Sequence, residues 1–151
     1  MGQSGKARVC LSLVCFALIM ATFACGFGLR YERDLTGKYA VWAIDEIEQA
    51  SIVKKSGSSG TSVVGPMVFA YGWNNKFIIV QQHPWMPDSY FAVNMAVTNW
   101  FIVETKSGKV HGPLSEQKYM ELRRTLGVPA SVTFTETLTP SQLKTPSRSA
   151  R

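Results

Sequence analysis

Residues 63–82, VVGPMVFAYGWNNKFIIVQQ, decide the fold. Two runs rich in β-branched and aromatic residues, 63–71 and 77–82, flank GWNNK, whose Gly72, Asn74 and Asn75 tolerate the positive φ of a tight reversal. The pattern predicts an antiparallel hairpin. Working toward the C-terminus, residues 99–105 and 109–112 predict a second hairpin that turns at Lys106, Ser107 and Gly108. Between the hairpins lies QHPWMPDSYF, where Pro84 and Pro87 forbid a continuous central strand, so a loop or a covered edge is expected.

Working toward the N-terminus, residues 38–44 (KYAVWAI) are apolar at alternate positions of both registers, which predicts a strand covered on both faces. Residues 49–54 (QASIVK) are its expected partner across an acidic connection that holds Asp45, Glu46 and Glu48. Residues 56–62 (SGSSGTS) are small and polar, the composition of a flexible loop.

The helix is expected at residues 116–126. Ser115 is placed to cap it, Leu114 to staple against Tyr119, and Tyr119, Leu122 and Leu126 form one apolar stripe. Arg123 and Arg124 suit the negative end of the dipole, and Gly127 with Pro129 ends the element. Residues 131–138 (SVTFTETL) alternate and are expected to return as a last strand. The resulting architecture is α+β: a small antiparallel sheet of about five or six strands, arranged as hairpins, packed with one C-terminal amphipathic helix. A hydrophobic signal or anchor helix at 1–29 precedes this single domain at 30–138, and a disordered basic tail at 139–151 follows it.

Length and composition agree with one domain. The chain has 151 residues, 46% of them hydrophobic and 17 of them aromatic, enough for a core and unlike disordered, collagenous or disulfide-rich chains. The net charge of +6 does not describe the domain. Between residues 26 and 138 eleven Lys and Arg stand against ten Asp and Glu, a net +1, so the basic balance belongs to the two ends. A nucleic-acid partner is therefore not expected, since such binding rests on clustered cations.

Residues 9–29 (VCLSLVCFALIMATFACGFGL) run for twenty-one positions without a charge, behind Lys6 and Arg8. This is the layout of an export signal, and it also has the length of a membrane-spanning helix. The cationic side precedes the apolar run, which orients the rest of the chain outward. Three fates remain open. Cys25 after Ala24 and before Gly26 suits lipidation of the cysteine; Thr22 and Ala24 suit cleavage and secretion; an uncleaved anchor suits the length. All three cysteines, Cys10, Cys15 and Cys25, lie in this stretch, so neither an intrachain disulfide nor a cysteine-based zinc site is expected in the domain.

The runs VWAIDEIEQASI, YGWNNKFIIVQQHP and WFIVETKSGKVHGPLS, followed by a helix and LGVP, resemble a family of small bacterial lipoproteins with a domain of unknown function. The resemblance covers residues 35–134, and its most distinctive pieces are Trp73-Asn74, residues 77–80, Gln82-His83-Pro84 and Gly112-Pro113-Leu114. It implies a compact domain attached to the bacterial cell envelope and implies no activity. His111 departs from the apolar residue or tyrosine expected before Gly-Pro-Leu, which argues against a shared role for it.

Catalytic patterns are sparse. His83 and His111 have no cysteine or carboxylate at ligand spacing, and a metal would need a further donor from Asp45, Asp88 or Glu104, so neither metal nor cofactor is expected. No nucleophile elbow or phosphate-binding glycine loop is present, and no enzyme activity is expected. The one alternative is a small envelope hydrolase using His83 with Asp88 or Glu104. The expected role is docking to an envelope protein or glycan, with Trp85 and Tyr90 as an aromatic patch and Lys76, Gln82 and His83 as its polar rim. The favoured reading of the rings of Trp85, Tyr90 and Phe91 themselves is that they fold back to close one end of the core.

Overall fold

A computed structural model describes residues 29, 31–44, 49–86 and 92–138. The strands are β1 (Tyr31–Asp34), β2 (Tyr39–Ala43), β3 (Ser51–Ser56), β4 (Ser59–Val64), β5 (Val68–Trp73), β6 (Phe77–Gln82), β7 (Asn99–Glu104), β8 (Val110–Leu114) and β9 (Glu136–Thr137). The helix, α1, is Glu116–Thr125. The expected leader at 1–29 and tail at 139–151 lie outside the described residues, apart from Leu29. Among the described residues no helix is long and apolar enough to cross a membrane.

The strands form two antiparallel sheets rather than one. The first has order β1-β2-β3-β4 and the second β8-β7-β6-β5-β9. Their inner faces pack together: Tyr39, Val41, Ala43, Ile52 and Val64 from the first meet Val68, Tyr71, Ile78, Val80, Phe101 and Val103 from the second. The alternate residues of the second sheet, Ile79 and Ile102 with Phe77 and Trp100, point the other way and are covered by Tyr119, Leu122, Leu126, Val128, Val132 and Phe134. Period-two alternation thus feeds two cores, which is why β6 and β7 read as continuous apolar runs.

The predicted central hairpin is observed in part. Residues 77–82 form β6 as expected, paired with β5. The run at 63–71 is divided by Gly65-Pro66, a cis peptide, and its two halves belong to different sheets: β4 closes the first and β5 enters the second. Proline supplies no N–H to a ladder, so the chain leaves one sheet there and joins the other.

The expected flexible loop at 56–62 is corrected too. Ser56 pairs with Ser59 across a two-residue turn at Gly57-Ser58, with Gly57 at φ +61°, and β4 runs on from it. A ladder needs backbone groups, not large side chains, so a Ser/Gly-rich segment pairs when its neighbour holds it. The expected final strand at 131–138 shortens to Glu136–Thr137 on the edge of β5. Ahead of it the chain is fastened to the helix, since the Arg123 guanidinium donates to the carbonyls of Pro129 (2.9 Å) and Val132.

The helix is built as its sequence predicts. The Ser115 hydroxyl accepts from the Lys118 N–H at its start. At its end the N–H of Val128 bonds to the carbonyl of Arg123, and that of Gly127 to Arg124, with Gly127 at φ +66°. This is a Schellman closure, and Gly127 is there because the αL position penalises a Cβ.

Candidate functional site

β6 carries one expected site residue, Gln82, and its length separates two others. Lys76 precedes it, exposed in the β5–β6 turn, and His83 follows it. A six-residue strand spans roughly 20 Å, so Lys76 is not a rim residue for the loop beyond His83. Gln82 is not on the rim either: it is 8% exposed, donates from Nε2 to the Pro66 carbonyl (2.7 Å) and accepts from Asn99 Nδ2 (3.1 Å). Its role is to tie the crossover at Pro66 to β6 and β7.

His83 is half-buried. Its Nδ1 donates to the Val97 carbonyl at 2.8 Å, and its ring stacks on Phe69 with centroids 4.2 Å apart. No described carboxylate is hydrogen-bonded to it. Glu104 lies at the other end of the sheet, because β6 and β7 pair with Phe77 opposite Glu104 and Gln82 opposite Asn99. The hydrolase pair of His83 with Glu104 is therefore not formed. Asp88, its other candidate partner, and Tyr90 of the aromatic patch lie outside the described residues, as do Cys25, Asp45, Glu46 and Glu48.

Glu104 instead accepts from His111, Oε1 to Nε2 at 2.7 Å, and Ser107 Oγ lies 3.3 Å from Oε2. The hydrogen bond from His111 holds the Glu104 carboxyl below its ordinary range. Among the described residues no group of three or more His, Cys, Asp or Glu could hold a metal ion.

Trp85 is 36% exposed and opens onto a groove that the sequence did not signal. The groove, of about 520 Å³, lies on the outer face of the first sheet. Trp42, Ile44 and Trp85 form its aromatic and apolar walls, and Gln49, Ser51, Ser62 and Gly60 its polar and small floor, with Val53 and Pro66 between them. A second hollow adjoins it on the Glu32, Lys55 and Gly57 side of Trp42.

The site follows from strand alternation. Tyr39, Val41 and Ala43 face the core, so Trp42 and Ile44 are directed to the opposite face. The sequence predicts cover on that face as well, but Ile44 is 49% exposed and Trp42 lines open grooves. The missed signal is cross-strand: around Val53, the positions on the same face of β3 and β4 are Ser51, Lys55, Gly60 and Ser62, which offer too little apolar surface to hold another layer.

Trp42 is fixed in place. Its Nε1–H donates to Glu32 Oε1 at 3.1 Å, and its ring lies on Gly60, where an added Cβ would come within 2.7 Å of Cζ3. Lys55 pairs with Asp34 and, at 3.7 Å, with Glu32. The hydrogen bond to Asp34 raises the Lys55 amine above its ordinary value.

No curated protein and no solved structure matches the chain. Residues 36–138, which hold α1 and every strand after β1, match the model of a family described as "Protein of unknown function (DUF3997)", and the chain belongs to that family.

Proposed function

We propose that the domain is a non-catalytic docking module of the bacterial cell envelope, exported by its apolar N-terminal stretch and tethered to the membrane through lipidated Cys25. The observation that carries the docking reading is the open groove between Trp42 and Trp85 on the one sheet face that no described element covers. Exposed aromatic side chains offer large contact area at a small entropic cost, so such a groove favours binding over turnover. The pairing of Glu104 with His111 and of His83 with the Val97 carbonyl supports the same reading, because each histidine is already engaged in a structural hydrogen bond.

A photo-crosslinking residue placed at Ser62 of the full chain, expressed in its own cells, tests the docking. The expected result is a discrete adduct that disappears when Trp85→Ala is added. No adduct, or one indifferent to Trp85, would overturn it. Mass analysis of the mature N-terminus tests the tether: a diacylglyceryl-modified Cys25 is expected, whereas an intact Met1 would replace lipidation with an uncleaved anchor.

A further inference from the structure

The chemistry of the groove narrows what it holds. None of the nine described residues that line it is charged, so none of them pairs with an anion or a cation. Beyond Trp42 on the described face the Lys55 amine pairs with both Glu32 and Asp34, two acids to one base, a net charge of −1 that disfavours an anionic ligand. The floor is hydroxyl and amide: Ser51, Ser62 and Gln49 offer both donors and acceptors. Ser51 donates to the Gln49 carbonyl at 3.2 Å and keeps its acceptor capacity, while the side chains of Ser62 and Gln49 make no hydrogen bond among the described residues.

An apolar helix or acyl chain would leave these polar groups without water or partners, which is costly. A neutral sugar has the complementary surface: a face of C–H bonds that stacks on an indole and an edge of hydroxyls that both donate and accept. Trp42 is prepared for stacking, since the hydrogen bond to Glu32 and the seat on Gly60 hold its plane before any ligand arrives. Trp85 is held on the other wall through the bridge its backbone makes with Val93.

We propose that the groove between Trp42 and Trp85 binds a neutral oligosaccharide, stacked on the indoles and hydrogen-bonded to Ser51, Ser62 and Gln49. This rests on the docking reading and gives it a ligand class. Loss of one stacking indole is expected to weaken binding roughly tenfold, equivalent to about 1.4 kcal/mol.

The test titrates the full-length chain, in a detergent without a sugar headgroup, with neutral tetramers of β-linked N-acetylglucosamine, β-linked glucose and α-linked glucose, read by tryptophan fluorescence and by saturation-transfer NMR. The expected result is saturable binding of at least one tetramer, weakened roughly tenfold by Trp85→Ala and also by Ser62→Glu. Lys76→Ala leaves it unchanged. Ser62 and Trp85 are surface residues, and a thermal melt of each variant verifies that the fold is retained. An uncharged six-residue peptide of alternating Thr and Val is titrated in parallel. If that peptide binds in a Trp85-dependent way and no tetramer does, the saccharide inference is overturned while docking stands. If neither binds and the Ser62 crosslink is also absent, both fall.

Discussion

The outer faces of the two sheets differ sharply. That of the second sheet lies under α1 and the segment after it, and its residues Ile79 and Ile102 are fully buried beside Tyr119, Trp100 and Phe134. That of the first sheet leaves Trp42 lining grooves and Ile44 and Trp85 exposed, with no described element lying over them. Both faces present a tryptophan on an interior strand, Trp100 on β7 and Trp42 on β2. What separates them is the neighbours. Trp100 stands among large apolar side chains from α1 and the chain after it, whereas Trp42 stands beside Gly60, Ser51 and Ser62. An aromatic ring is a core residue only where enough apolar surface surrounds it.

If the covered face carries stability and the open face carries binding, substitutions on the two should divide. The largest effect is expected from Tyr119→Ala. Tyr119 is 1% exposed, and truncating a buried aromatic costs about 3–5 kcal/mol, measurable by urea unfolding. A loss below about 1 kcal/mol would mean that α1 is not integral to the fold. Next is Gly60→Ala, whose new Cβ would meet the Trp42 ring at 2.7 Å. Displacing the indole is expected to cost about 1–3 kcal/mol and to shift the fluorescence of the groove.

The third effect depends on pH and belongs to the margin of the covered face, where Glu104 and His111 project on the same side as Ile102. The Glu104 carboxyl titrates below its ordinary range in the folded protein, so its stabilising contribution is present above the unfolded carboxylate pKa and is lost as pH falls through the lowered one. Melting temperature should therefore fall on acidification, and Glu104→Gln should flatten that fall. A profile unchanged by the substitution would remove Glu104 from the account. The smallest stability effect is expected from Trp85→Ala, about 0.5 kcal/mol or less, as for other surface positions, beside the roughly tenfold loss of the proposed binding. A large destabilisation would place Trp85 with Trp100 as a core residue and dissolve the contrast.

Local elements were legible where one short stretch contains all the physics. The limits of β6 and the caps of α1 follow from residues within a turn of each other, which is why Ser115 and Gly127 could be read directly. The apolar run at 63–71 was not legible as two strands, because Val64 and Val68 look alike until Gly65-Pro66 sends them to different sheets. Residues 59–62 of β4 resembled a loop because their composition is that of a turn, and only the partner β3 makes them a strand. At the site, Trp85 was recognisable as an aromatic between prolines. Its companion Trp42 was not, and Gln82 was misread as rim because its burial depends on the carbonyl of Pro66, sixteen residues away.

The sequence by itself determined the antiparallel strands, the capped helix, the nearly neutral domain charge and the apolar N-terminal stretch, since each depends on period, propensity or composition along a short length of chain. Tertiary structure alone decided that the strands divide into two sheets, that one outer face is covered and that the other is left as a groove. Those outcomes depend on which side chains stand opposite one another across strands, and the distance at which Trp42 meets Gly60 is written nowhere in the order of residues.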